Sequence, residues 1–143
     1  MVILSCAIAM FCVYIKGECS EETEEQQMKE LTILNPKRIG HGVFLHDKAK
    51  SWILGRRIPI EMCLTSAVQA HMISSIDQHP GLKLLREKYP VVICTDDPLV
   101  FSTSLTDECL LAVAHLGLSS DDEKTACDFI GKLQQETLAY KFQ

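Results

Sequence analysis

The sequence has no cluster of basic residues, few aromatic side chains and no closely spaced cysteine pair, and each lack removes a class of function. Lys and Arg number 14 against 19 Asp and Glu, for a net charge of −5. Binding to duplex or single-stranded nucleic acid draws on counterion release by grouped Lys and Arg, so nucleic acid is not an expected partner. A small nucleotide held by fixed dipoles remains compatible with this charge. No GxGxxG, Walker loop, GxSxG or HExxH occurs, and both halves of HxE…PCxxC are missing. The dinucleotide, phosphate-loop, serine-hydrolase and common zinc signatures therefore all go.

The 7 cysteines, Cys6, Cys12, Cys19, Cys63, Cys94, Cys109 and Cys127, are odd in number and include no CxxC. Most lie beside Val, Ile, Leu or Met, where a free thiol behaves as a small buried hydrophobe. That usage points to a reducing compartment, and so to the cytoplasm. Charge is also missing from Met1 to Ile15. The stretch is similar to the apolar part of a secretory signal, but it lacks a basic start and falls short of the ~20 residues a spanning helix needs. It reads either as a signal or, preferably, as an apolar lead-in to a buried strand, and no membrane partner is expected.

What remains is a chain of 143 residues, 47% hydrophobic and 23% charged, which fits one globular unit. A chain of this size buries roughly 68–70% of its unfolded surface. Near-continuous apolar runs predict strands around residues 8–16, 37–41, 58–64 and 91–95, the last being Val91-Val92-Ile93-Cys94-Thr95. Such runs without polar alternation belong to strands covered on both faces. Between them lie helical patterns. Ser20 is placed to cap a helix whose first turn carries Glu21, Glu22, Glu24 and Glu25, with Met28, Leu31 and Leu34 on its apolar face and Asn35-Pro36 as its stop. Its acidic run reads as a solvated face.

Ala49 to Leu54 forms a helix ending near Gly55, and Leu82, Leu84 and Leu85 belong to another after His79-Pro80. Ser104 with Asp107 makes a capping box before Leu105, Cys109, Ala112, Val113 and Leu116. Ser120 with Glu123 makes a second box before a long last helix with Ala126, Phe129, Ile130, Leu133, Thr137 and Tyr140 on one face. The alternation means βαβ units and a parallel sheet. Four units make roughly half of an eight-stranded barrel, which takes about 250 residues. No linker marks a second domain, so residues 1–15 are the lead-in and 16–143 one partial barrel domain.

Chemistry in such a sheet collects at the carboxyl ends of the strands. There the sequence places Gly17-Glu18, Gly40-His41-Gly42 and Asp96-Asp97-Pro98. The last can be a helix start, with Asp as cap and Pro in the first turn, or a metal ligand beside a substrate-binding carboxylate. Glycines on both sides of His41 let something approach the imidazole closely. His46, His71 and His115 show no ligand spacing.

Taken in order, Arg38-Ile39-Gly40-His41-Gly42, Glu61-Met62-Cys63-Leu64-Thr65-Ser66, His79-Pro80, Thr95-Asp96-Asp97-Pro98 and Phe101-Ser102-Thr103-Ser104-Leu105 resemble the adenosine deaminase family over about residues 15–143. The Cys63-Leu64-Thr65-Ser66 and Ile93-Cys94-Thr95-Asp96-Asp97 segments are most similar to its N6-methyl-AMP deaminase branch. The resemblance implies an α/β fold, the carboxyl-terminal half of a metal-dependent (β/α)8 TIM barrel with parallel strands and outer helices. It implies hydrolytic deamination at purine C6, of N6-methyl-AMP or an adenosine-type substrate, by a monomer holding one zinc ion. Asp96 would be a zinc ligand, and Asp97, with Gly17, would bind the purine. His41 would orient or assist the attacking hydroxide, and Glu18 would protonate the ring nitrogen.

The pattern also departs from the family. Ile15 stands where the family has a zinc-binding His, no His precedes His41, and the paired His-x-His is absent. Ala67 stands where the branch has Asn. A catalytic zinc takes about three protein ligands, so the expectation is a truncated deaminase chain that is inactive alone. The alternative is a non-catalytic fragment or interaction module.

Overall fold

Ile39, Ile60, Met62, Val91 and Ile93 all join one buried cluster, and their spacing along the chain sets the sheet. The computed structural model describes residues 24–117, 128–133 and 135. Within them the order is α1 (Glu24–Leu34), β1 (Ile39–Gly40), α2 (Asp47–Gly55), β2 (Ile60–Met62), α3 (Leu64–Gln69), a 3-10 turn (Ile76–Gln78), α4 (Pro80–Arg86), β3 (Val91–Ile93) and α5 (Leu105–His115). Residues 128–133 are helical, with Leu133 buried and Phe129 and Ile130 half-buried. The strand expected at 8–16, the Ser20 cap, the Ser120–Glu123 box, Gly17 and Glu18 lie outside the described residues, as do Ala126, Thr137 and Tyr140.

The strands form one parallel sheet in the order β1-β2-β3. Ile39 pairs with Ile60, and Ile60 with Val91, so the three carboxyl ends share one edge. Every residue of the three strands is buried, so β3 reads as an unbroken apolar run, while β2 buries Glu61 between Ile60 and Met62. Leu31, Ala49, Ile53, Leu82, Leu84, Cys109 and Ala112 cover the sheet from the helices. The Tyr89 hydroxyl donates to the Ile58 carbonyl (2.7 Å), with the Ile53 carbonyl 3.2 Å away as a second acceptor, and so ties the end of α2 to the entry of β2.

Four details differ from the sequence reading. The strands are shorter than predicted, and Leu64, expected in a strand, opens α3 with Cys63 at the cap position. On α1 the buried residues are Gln27 and Leu31, while Leu34, expected on the apolar face, is 42% exposed. Gln27 can be buried because its amide is satisfied: it donates to the Phe44 carbonyl (2.9 Å) and accepts from the His46 N–H (3.0 Å). Leu105 is likewise exposed, and Glu108 takes the interior place on α5. The Ser104–Asp107 capping box is present in both directions.

Gly81, in the first turn of α4, explains how that helix sits so near β2. A Cβ there would lie 2.6 Å from Met62 Sδ and 2.9 Å from its Cγ, and Met62 is fully buried. Gly81→Ala is expected to lower stability by about 1–3 kcal/mol through overpacking. Gly55→Ala, with nothing within 4 Å of the added methyl, should be neutral or raise it slightly. Urea unfolding of both variants checks the contrast.

Candidate functional site

The parallel register delivers His41, Cys63 and Cys94 to the residues immediately after β1, β2 and β3, with Asp96 two positions beyond Cys94. The structure brings His41 and Asp96 together, with His41 Nε2 3.6 Å from Asp96 Oδ2. Both side chains are largely covered, 12% and 21% exposed, so their interaction is weakly screened. Both residues also hold left-handed backbone, His41 at φ 53° and Asp96 at φ 59°. That region disfavours most residues with a Cβ, and such strain collects at functional sites. Gly42 follows at φ 64°, and a Cβ on it would press on Ile60 Cγ2 at 3.2 Å, so the bend after β1 requires glycine.

Asp97 is set differently. Its Oδ1 accepts from the backbone N–H groups of Leu99 (3.0 Å) and Val100 (3.2 Å), closing the turn that follows β3. The chain forms a turn here rather than a helix start. Asp97 is exposed, and its other carboxylate oxygen remains available to a ligand. Of the expected site residues, His41 and Asp96 converge, Asp97 adjoins them, and Gly17 and Glu18 lie outside the described residues.

Three buried polar groups escape the sequence reading as site components. His79 is 2% exposed, and its Nδ1 accepts from the Gly81 N–H at 3.0 Å, so the neutral ring carries its proton on Nε2. That Nε2 has no hydrogen-bond partner among the described residues. Burial, with His41 adding to it, pushes the His79 pKa down to about 4. Glu61, in the middle of β2, pairs with Arg38 Nε at 2.5 Å. Glu108 is fully buried on α5 and accepts from the Leu64 N–H (2.7 Å), the Thr65 N–H (3.3 Å) and the Thr103 hydroxyl (2.9 Å). It thereby fixes the chain as β2 turns into α3. His79-Pro80 and Glu61 stand inside the motifs quoted above, which was the available signal; Glu108 had none.

Beside this edge, Cys63 is buried, with Cys94 its neighbour at the end of β3. The Cys94 thiol first, and burial second, hold the Cys63 thiol well above its ordinary range. Cys63, Cys94 and Cys109 are free thiols. Among the described residues no group of three or more His, Cys, Asp or Glu side chains is arranged to hold a metal ion. A catalytic zinc needs about three protein ligands, so the described residues alone do not fit one. Among them, too, no helix is long and apolar enough to cross a membrane.

Two outcomes follow from these buried groups. The unfolded chain binds a proton at His79 near pH 6.5 and the folded chain only near 4. Stability at this residue is therefore intact above 6.5 and lost as pH falls toward 4, by up to about 3 kcal/mol. His79→Asn, which keeps an acceptor for Gly81, should flatten that part of the slope in urea melts; equal slopes would refute the assignment. Glu108→Ala strands two backbone donors and should cost about 2–3 kcal/mol, with Glu108→Gln costing less, as measured by the same melts.

A family model for adenosine deaminase matches residues 17–128. The N6-mAMP deaminase of Arabidopsis thaliana is 41% identical over 110 residues, covering 77% of this chain and 31% of that protein. The apo structure of the Arabidopsis N6-methyl-AMP deaminase superposes with a TM-score of 0.63 at 37% identity, over 83% of this chain and 37% of that one. An Arabidopsis structure described as complexed with IMP gives 0.63 at 31% identity, over 84% and 39%. The chain spans about a third of the length of the curated relatives it matches. Its parallel strands and outer helices are part of the deaminase (β/α)8 barrel. The sequence match, the superposition and the edge where His41 meets Asp96 agree, and the chain belongs to the adenosine deaminase family.

Proposed function

We propose that these residues form part of the catalytic edge of a hydrolytic purine-C6 deaminase, with N6-methyl-AMP favoured over adenosine. The meeting of His41 and Asp96 at the carboxyl ends of β1 and β3 carries the reading. In that reaction water adds at C6, the tetrahedral carbon loses its amine, and the C6 oxygen remains. His41, held beside the Asp96 carboxylate, orients the attacking oxygen and accepts or returns its proton. Asp97 offers its free carboxylate oxygen to a purine N–H, while its other oxygen keeps the turn rigid. Glu18, next to Gly17, is proposed as the acid that protonates the ring nitrogen. The substrate preference rests on Cys63-Leu64-Thr65-Ser66 and on the Arabidopsis relative named for N6-mAMP. A small purine nucleotide as ligand accords with the neighbour described with IMP.

Zinc is the proposed metal, with Asp96 among its ligands; when bound it would make water nucleophilic near neutral pH. No His precedes His41 in the sequence, and the described residues hold no three-donor group. We therefore propose further that the 143 residues alone keep the proton-handling and purine-binding groups without retaining zinc. The free thiols favour the cytoplasm as the setting, and the working form is proposed as a monomer.

The test is elemental analysis of the purified chain for zinc, with IMP titration and deamination assays on N6-methyl-AMP and adenosine. Expected are substoichiometric zinc, no turnover, and weak IMP binding that Asp97→Ala removes. Near-stoichiometric zinc with turnover would overturn the inactivity of the isolated chain. Absence of any IMP binding at millimolar concentration would overturn the purine site.

A further inference from the structure

We propose that Cys63 and Cys94 are a modification site, a thiol pair that a hydroperoxide oxidises to an intramolecular disulfide. The inference stands apart from the deaminase reading and needs only the pairing of β2 with β3. The register runs Ile60 with Val91, Glu61 with Val92 and Met62 with Ile93. The Cys94 N–H donates to the Met62 carbonyl at 3.0 Å, so the two chains are still side by side at the last paired residues, Met62 and Ile93. Cys63 and Cys94 follow directly after that pair, at the adjacent carboxyl ends of β2 and β3. Adjacent strands lie about 4.8 Å apart, inside the ~4.4–6.8 Å Cα separation that a disulfide spans. Residues that follow a paired position on adjacent strands project to the same side, and Cys94 is the neighbour that most perturbs the Cys63 thiol.

Burial divides the roles. Cys63 is only 4% exposed, whereas Cys94 is half-buried and open to a small oxidant. The Cys94 sulfur attacks one peroxide oxygen, an S–O bond forms as the O–O bond breaks, and the thiol proton leaves with the released hydroxide as water. The Cys63 sulfur then attacks the Cys94 sulfenic acid. The S–S bond forms, the S–O bond breaks, and the second water leaves with the Cys63 proton. Two thiols are oxidised by two electrons and one hydroperoxide is reduced. The product would cross-link the carboxyl ends of β2 and β3, two residues before Asp96 and one before α3.

The test treats the reduced full chain with hydrogen peroxide at neutral pH, alkylates the remaining thiols and maps peptides by mass spectrometry without reduction. Expected is a Cys63–Cys94 linked peptide as the main cross-link, lighter by two hydrogens and restored by dithiothreitol. Cys94→Ser should lose it. Cys63→Ser should leave Cys94 as a sulfenic acid that dimedone traps, an adduct scarce in the unaltered chain. Should Cys63→Ser fail to fold, the unaltered chain and Cys94→Ser, altered at the less buried position, still decide. Cross-links that favour other cysteines, or equal dimedone labelling of Cys94 with and without Cys63, would overturn the proposal.

Discussion

Parallel pairing of Ile39 with Ile60 and of Ile60 with Val91 makes three short strands end together, and the rest of the molecule is arranged around that edge. Parallel strands cannot be joined by tight hairpins, so each connection must cross back over the sheet. The crossovers here carry α2 and α4, and their apolar faces supply Ile53, Leu82 and Leu84 to the core. Chain-distant residues such as His41 and Asp96 thereby become neighbours without either being chosen by local sequence. A slip of one residue in β2 would turn Ile60 and Met62 away from the helices and put Glu61 among them.

Holding that edge in place falls to buried polar side chains at the junctions. Gln27 ties α1 to the loop between β1 and α2 through the Phe44 carbonyl and the His46 N–H. Glu108 reaches from α5 to the start of α3, and Arg38 joins β2 through Glu61. Loops near a core present backbone groups that must be paired somewhere. Gln27 and Glu108 supply partners for such groups where no strand or helix neighbour does. Apolar packing sets where the elements lie, and these contacts set how the connecting segments leave them.

Much of the layout was legible because it depends on short-range pattern. Val91-Val92-Ile93 reads as a covered strand from its apolarity alone, and Ser104 with Asp107 reads as a cap from spacing alone. The ends of the strands were less legible: Cys63-Leu64 continues the apolar run of β2, yet Leu64 starts α3 because Glu108 captures its N–H from 44 residues away. Gln27 and Glu108 were left unread for the same reason, since a polar residue is buried only when distant partners exist for it. In the site, His41 and Asp96 were visible through their positions after strands, and their convergence needed the sheet. Asp96-Asp97-Pro98 carried two readings, and the turn that Asp97 closes takes the place of the helix start.

The left-handed backbone at His41 and Asp96 has a consequence for how substitutions there would be read. Residues differ in their tolerance of that conformation, and Asn and Gly accept it more readily than Ala or the β-branched residues. A scan that replaces Asp96 with Ala or Val changes two things at once, the carboxylate and the fit of the backbone. Asp96→Asn removes the charge while keeping shape and conformational preference, so it isolates the electrostatic contribution. At His41 no replacement does this as cleanly, apart from Asn, which lacks the ring. Interpreting a mutational map of this edge thus depends on conformational bookkeeping as much as on side-chain chemistry.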